Sequence, residues 1–107
     1  MKVNGTDISM IRGDSEEIRL NFSGYTLTPG EVVEMTVRKN VRSAEKSLYK
    51  KITDFQDNVA LISIQPQDTS GLAFGDYVYD IQLTYGGRVK TLVPPSTFTL
   101  EEEVTYG

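Results

Sequence analysis

The chain of 107 residues contains no cysteine, no histidine and no tryptophan. Without cysteine there is no disulfide to staple a small core and no thiolate to act as a nucleophile or metal ligand. Without histidine, the commonest general base and the commonest metal ligand are both missing. Packing alone must therefore hold the fold, and any enzymatic chemistry would depend on carboxylates.

Long apolar runs are missing as well. No stretch of about 18 apolar residues occurs, so the sequence predicts no membrane span, and residues 1–7 lack the apolar core of a signal peptide. We therefore expect a protein made in a cytoplasm, and used there or released by lysis. The length suits a single domain, residues 1–107, with a core of its own.

Basic residues are fewer than acidic ones: 11 Lys and Arg against 15 Asp and Glu give a net charge of −4. A nucleic-acid-binding protein usually carries a basic patch or stripe, so this balance argues against that role. One basic cluster does occur in the middle of the chain, and it consists of Arg38, Lys39, Arg42, Lys46, Lys50 and Lys51. A solvated face is the commoner explanation of such a run.

The residues that are present alternate between polar and apolar with period two, which is typical of half-buried β-strands. The clearest example is residues 77–85, and residues 17–22 and 33–38 alternate in the same way. Residues 59–64 form the most apolar run and predict a central strand. Residues 47–52 predict an edge strand, because lysine is a common device for blunting the edge of a sheet.

Turn signals separate these segments. Gly86-Gly87 predicts a two-residue hairpin, and Pro94-Pro95 predicts an interruption at a sheet edge or bulge. Asp68 is the predicted N-cap of a short helical segment. Residues 54–58 contain two acids, but no glycine and no bidentate glutamate follow at the spacing of a calcium loop, so they predict a turn.

Short strands with turn signals roughly every 8 to 12 residues are the pattern of a small sandwich. Leu72, Gly75 and Tyr77 fit a tyrosine corner, in which a tyrosine hydroxyl bonds back to the upstream backbone. The predicted fold class is thus all-β: an immunoglobulin-like antiparallel β-sandwich of about seven strands. A barrel of the OB type is the structural alternative.

No catalytic, cofactor-binding or metal-ligating residue is predicted, and we expect no enzyme. A carboxylate pair would need two acids facing one dry pocket, whereas neighbours on a strand point to opposite faces. The tripeptide Arg12-Gly13-Asp14 resembles an integrin-binding motif, but three residues recur by chance and this one falls where a turn is expected. Tyrosines are the candidate recognition residues: Tyr77 and Tyr79 are expected in the core, and Tyr25, Tyr49, Tyr85 and Tyr106 at the surface.

Several motifs follow one another in a familiar order: Gly13-Asp14, Asp68-Thr69, residues 75–81 and the Gly86-Gly87 hairpin. In this order the sequence resembles the immunoglobulin-like N-terminal domain of phage baseplate upper proteins, a type of domain found in tail and prophage structural proteins of Gram-positive bacteria. The resemblance covers nearly the whole chain. It implies a virion building block of the tail tip or baseplate, without catalytic residues or cofactor. Members of that family continue into segments that carry receptor-binding proteins, whereas this sequence stops at Gly107. We therefore expect the attachment role of the family here, rather than the receptor-carrying role.

Three functional hypotheses follow. The first is a non-enzymatic phage or prophage tail or baseplate module that contacts other tail proteins, forms homo-oligomers as an open alternative, and binds neither nucleic acid nor membrane; its expected location is the virion. The second is a carbohydrate-binding or cell-surface adhesion module, which needs exposed aromatic side chains along a groove. The third is a nucleic-acid-binding β-barrel that uses the basic cluster of residues 38–51.

Overall fold

The computed structural model describes residues 1–105, which form eight β-strands and one short helix in two sheets. The strands are β1 (Lys2–Asn4), β2 (Asp7–Ile11), β3 (Glu16–Asn21), β4 (Val32–Arg38), β5 (Leu48–Ile52), β6 (Val59–Ile64), β7 (Gly75–Tyr85) and β8 (Arg88–Glu101), with helix α1 (Pro66–Thr69) between β6 and β7. A six-stranded sheet, in the order β1-β2-β8-β7-β4-β5, packs against a two-stranded sheet of β3 and β6. This arrangement confirms the immunoglobulin-like β-sandwich and excludes the OB-type barrel.

The larger sheet is mixed rather than purely antiparallel. Strand β2 pairs in parallel with the second half of β8, from Ile8 opposite Phe98 to Ile11 opposite Glu101. Strand β1 is an additional short strand, which a turn at Gly5 folds back onto β2. The hydroxyl of the buried Tyr79 donates a hydrogen bond to the Thr6 carbonyl and so ties this turn to β7.

The core lies between the two sheets and is built by the alternating residues. Val33, Met35 and Val37 of β4 are fully buried, and on the facing sheet Ile62 and Ile64 of β6 are fully buried too. Each such side chain contributes about 1.5–3 kcal/mol through removal of its apolar surface from water. A sandwich without disulfides is therefore held by aliphatic and aromatic packing, as the composition requires.

The tyrosine corner is present at the start of β7. The hydroxyl of Tyr77 donates to the carbonyl of Ala73 at 2.6 Å, and the backbone N–H of Leu72 donates to Thr69 at 2.9 Å. These bonds fix the turn that carries the chain from α1 into β7. The prediction from Leu72, Gly75 and Tyr77 is confirmed.

Two local predictions are wrong. Strand β6 is not central, because its only partner among the described strands is β3; its apolar character reflects the face it buries, not neighbours on both sides. Asp68 is not the N-cap of α1. Gln65 is the N-cap, and the Asp68 carboxylate accepts a hydrogen bond from the Gln65 backbone N–H at 2.7 Å. Pro66 occupies the first helical position, where a proline is favoured, and this moves the start of the helix upstream.

The hairpin between β7 and β8, and the bulge in β8, agree with the predictions from Gly86-Gly87 and Pro94-Pro95. Gly86 and Gly87 have φ values of +57° and +82°, as a two-residue hairpin requires. At Pro94-Pro95 the pairing of β7 with β8 shifts register, since Tyr79 lies opposite Ser96 but Ile81 opposite Val93. The predicted bulge is thus present, and it divides β8 into residues 88–93 and residues 96–101.

Three connections meet at one end of the sandwich: residues 22–31, residues 53–58 and the hairpin at residues 86–87. They join β3 to β4, β5 to β6 and β7 to β8. In immunoglobulin-like sandwiches the loops clustered at an end are a common place for recognition. We call this end the cleft end.

Candidate functional site

Tyrosine side chains divide between core and surface as the sequence predicts. Tyr77 and Tyr79 are buried, whereas Tyr25, Tyr49 and Tyr85 are 46%, 38% and 49% exposed. Tyr106 lies outside the described residues. Two of the exposed tyrosines share a site at the cleft end, and Tyr49 lies apart on β5, where its hydroxyl donates to Glu34.

Tyr25 and Tyr85 line a shallow cleft of about 430 Å³, here called the tyrosine cleft. Its remaining walls come from Leu83, Arg88, Val89 and Lys90. Tyr85 lies on the same face of β7 as the buried Leu83, yet it is exposed at the end of the strand. Exposed aromatic rings beside cations and aliphatic groups make a surface suited to recognition.

Asn58 holds the loop that carries Tyr25. Its side-chain amide N–H groups donate to the carbonyls of Phe22 at 2.7 Å and Tyr25 at 2.5 Å, and its side-chain oxygen accepts from the backbone N–H of Leu27 at 2.7 Å. The φ of Asn58 is +60°, a left-handed conformation that asparagine adopts more readily than most residues. The sequence predicts only a turn here, although the Asp57-Asn58 pair is a signal for left-handed backbone.

Glu31 bonds to the cleft residue Tyr25 and is only 1% exposed. Its carboxylate accepts hydrogen bonds from the Tyr25 hydroxyl, from the backbone N–H of Thr28 at 2.5 Å and from the Thr28 hydroxyl at 3.0 Å. The bond from Tyr25 lowers the pKa of Glu31 below its ordinary value, helped by Thr28, and it raises the pKa of Tyr25. Because the Tyr25 hydroxyl is already engaged, the residue offers its ring to a ligand.

The first half of β8 borders the tyrosine cleft and forms an unpaired sheet edge. On one side residues 88–93 pair with β7, but β2 reaches β8 only from Phe98 onward. Within residues 1–105, no strand and no backbone hydrogen bond covers the other side of residues 88–93. Val89 is 60% exposed, and neither Arg88 nor Lys90 forms an ion pair within that part of the chain.

The basic cluster of residues 38–51 is largely engaged within the fold. Four of its members contact other groups of the chain: Arg38 donates to the carbonyls of Ser43 and Ala44, Lys39 lies over the Tyr77 ring, Lys46 lies over the Tyr49 ring, and Lys50 pairs with Asp68. These contacts favour a structural role for the cluster over phosphate binding.

The Arg12-Gly13-Asp14 tripeptide forms a turn whose arginine faces inward. The Arg12 guanidinium donates to the Glu103 carboxylate at 2.8 Å and to the Leu72 carbonyl at 2.9 Å, and it lies 5.8 Å from the centre of the Phe74 ring. The pair lowers the pKa of Glu103 below its ordinary value. This arginine therefore fastens the end of the sandwich opposite the cleft end.

Among residues 1–105 no group of three or more Asp or Glu side chains is placed to hold a metal ion. No helix in the same range is long and apolar enough to cross a membrane. Comparison of the chain with protein-family models, with curated proteins and with solved structures gave no match.

Proposed function

We propose that the protein is a non-enzymatic structural module of a phage or prophage tail or baseplate, and that it acts through protein–protein contacts in the virion. The sequence resemblance motivates the proposal. One structural observation carries it: two motifs of the resemblance, separated by 56 residues, contact each other directly. The backbone N–H of Gly13 donates to the Thr69 hydroxyl at 2.8 Å, and Arg12 binds the carbonyl of Leu72 next to the tyrosine corner.

These contacts give the two motifs of the resemblance a shared structural role in this chain. The Gly13-Asp14 turn needs a positive φ, which is +87° at Gly13, and its N–H needs an acceptor at the corner that leads into β7. A module of this kind presents a rigid sandwich to its neighbours. The tyrosine cleft and the unpaired edge of β8 are the surfaces we assign to those contacts.

The test is whether the protein is part of phage particles. Particles released after prophage induction of the strain that encodes the chain are purified on a density gradient. They are then analysed by mass spectrometry and by immunogold electron microscopy with an antibody against the purified protein. We expect the protein in the fraction that contains tail proteins, with gold label at the tail tip. Protein found in the soluble lysate and missing from the particles would contradict the proposal.

A carbohydrate-binding or adhesion module is the second candidate, because Tyr25 and Tyr85 line a single cleft and aromatic rings pack well against sugar faces. A glycan array would detect this activity. Binding that Tyr85→Ala abolishes, while the distant Tyr49→Ala control leaves it intact, would support the second candidate. An array without a signal would dispose of it.

A further inference from the structure

We propose that residues 88–93 of β8 bind an extended segment of a partner protein as an added β-strand, and that the segment carries acidic side chains at alternating positions. The inference rests on the proposed function in one respect, namely that the module works through protein contacts. It goes further by naming the edge, the mode of binding and the chemistry of the partner.

The backbone supplies the first argument. A strand with neighbours on one side presents unpaired N–H and C=O groups on the other, and such an edge is a template for strand addition. Residues 88–93 form such an edge within the described part of the chain, because β2 covers β8 only between Phe98 and Glu101. The strand position beside β8 is therefore occupied by β2 next to residues 98–101, and no described strand occupies it next to residues 88–93.

The side chains supply the second argument. Arg88 lies opposite Tyr85 and Lys90 opposite Leu83 in the pairing of β7 with β8, so both cations project on the face that carries the tyrosine cleft. In an added strand, every second side chain lies on this same face. Acidic residues at those positions would form cross-strand ion pairs with Arg88 and Lys90, each worth about 0.2–1 kcal/mol.

The bulge sets the length of the site. Pro94 and Pro95 have no backbone N–H to donate, and the register of β8 shifts where they occur. The register shifts a second time at Leu92, between Val93 opposite Ile81 and Thr91 opposite Gln82. The usable edge therefore covers roughly six residues, or about 20 Å at the rise of a strand, and it is regular over residues 88–91. Beyond the two prolines, the hydroxyls of Thr6 and Ser96 share a hydrogen bond of 2.7 Å, so the turn before β2 covers this side of β8.

The same charges argue against a second copy of this chain as the occupant. Consider two β8 edges paired antiparallel with both cores on one side of the joined sheet. A register centred on Lys90 places the two Lys90 side chains opposite each other, and one centred on Val89 places Arg88 opposite Lys90. A register centred on Thr91 separates the cations, but it places Lys90 opposite Leu92, where the pairing of β8 is irregular. Like charges directly opposite destabilise a pair of strands. An acidic strand avoids this repulsion.

The experiment uses the whole 15N-labelled chain and two capped peptides of about six residues, one with Glu at alternating positions and one with Lys at the same positions. We expect the Glu peptide to shift the amide resonances of residues 88–93 in a saturable manner and to slow their hydrogen exchange. The Lys peptide should bind at least about tenfold more weakly. In the double variant Arg88→Glu, Lys90→Glu the preference should reverse, while the far-UV circular dichroism spectrum stays unchanged.

Three outcomes would overturn the inference: equal affinity for both peptides, shifts confined to other strands, or an unchanged preference in the double variant. A variant that failed to fold would be replaced by Lys90→Glu alone, for which a reduced preference is expected. Particle analysis separates this inference from the proposed function. Incorporation of the double variant into particles at the wild-type level would support the proposed structural role and contradict the inference that residues 88–93 are the contact. Peptide binding at residues 88–93 by a protein that is not found in particles would support the edge-binding inference and contradict the proposed structural role.

Discussion

Replacement of Asn58 by alanine tests how the cleft end is held together. The change removes three hydrogen bonds, two donated to the carbonyls of Phe22 and Tyr25 and one accepted from the N–H of Leu27. Each contributes about 1 kcal/mol net. It also places alanine at a φ of +60°, a conformation that L-residues other than glycine, asparagine and aspartate adopt at a cost of about 1 kcal/mol. Water can replace part of the lost bonding, because the loop is half-exposed.

We therefore expect Asn58→Ala to lower the free energy of unfolding by about 3 kcal/mol. A domain of this size should then melt roughly 15 °C lower than the wild type. The assay is urea denaturation followed by circular dichroism, with tyrosine fluorescence as a second probe, since the chain has no tryptophan. Coincident transitions from the two probes would justify a two-state treatment.

Two companion variants separate the causes. Asn58→Gly removes the side-chain bonds but accepts the left-handed backbone, so it should be more stable than the alanine variant by about 1 kcal/mol. Asn58→Asp keeps the acceptor for Leu27, but it loses both donors and sets a carboxylate oxygen against the carbonyls of Phe22 and Tyr25, so it should be less stable than the wild type by more than the loss of the two bonds alone. A loss below about 0.5 kcal/mol for Asn58→Ala, or full recovery with glycine, would refute the hydrogen-bond argument.

Two further variants probe the site and the fold. Because the pKa of Glu31 is lowered, the stability that this carboxylate contributes is present above its ordinary pKa and is lost as the pH falls through the folded value. Glu31→Gln should thus be less stable than the wild type near pH 7, and it should lose less stability than the wild type between about pH 7 and about pH 3. Urea titrations of both proteins at both pH values measure this difference. Equal loss of stability in the two proteins would contradict the role assigned to Glu31. Tyr77→Phe should lower the free energy of unfolding by about 1–2 kcal/mol, because it removes the hydrogen bond to the Ala73 carbonyl. Tyr85→Phe is the control, because the Tyr85 hydroxyl forms no hydrogen bond to residues 1–105. Similar losses in the two variants would show that the tyrosine corner does not stabilise the fold.

The alternation of residues along each strand predicts most of the fold, because one buried face imposes period two on the sequence. Val33, Met35 and Val37 illustrate this, since each is fully buried as expected. Pairing partners are harder to read. Strand β6 was expected at the centre of a sheet because it is apolar, yet apolarity measures the burial of a face and says nothing of how many strands lie beside it.

Long-range contacts account for the rest of what the sequence does not reveal. The parallel pairing of β2 with β8 joins segments about 90 residues apart, so no local pattern announces it. The tyrosine cleft has the same origin. The sequence predicts that Tyr25 and Tyr85 are exposed, but their meeting in one cleft brings together a loop residue and a strand residue 60 positions apart. The unpaired edge at residues 88–93 follows from the short reach of β2.

Two ion pairs at one pole of the sandwich give the module a direction. The amino group of Met1 pairs with Glu16 at 2.8 Å, at the start of β3, and Arg12 holds Glu103 at 2.8 Å. Both lie toward the pole opposite the tyrosine cleft. A group attached at Arg12 or Glu103 would therefore lie on the side of the sandwich away from the tyrosine cleft and from residues 88–93 of β8. In mechanical terms, a load applied at Glu103 would reach the ion pair with Arg12 before it reached the tyrosine cleft.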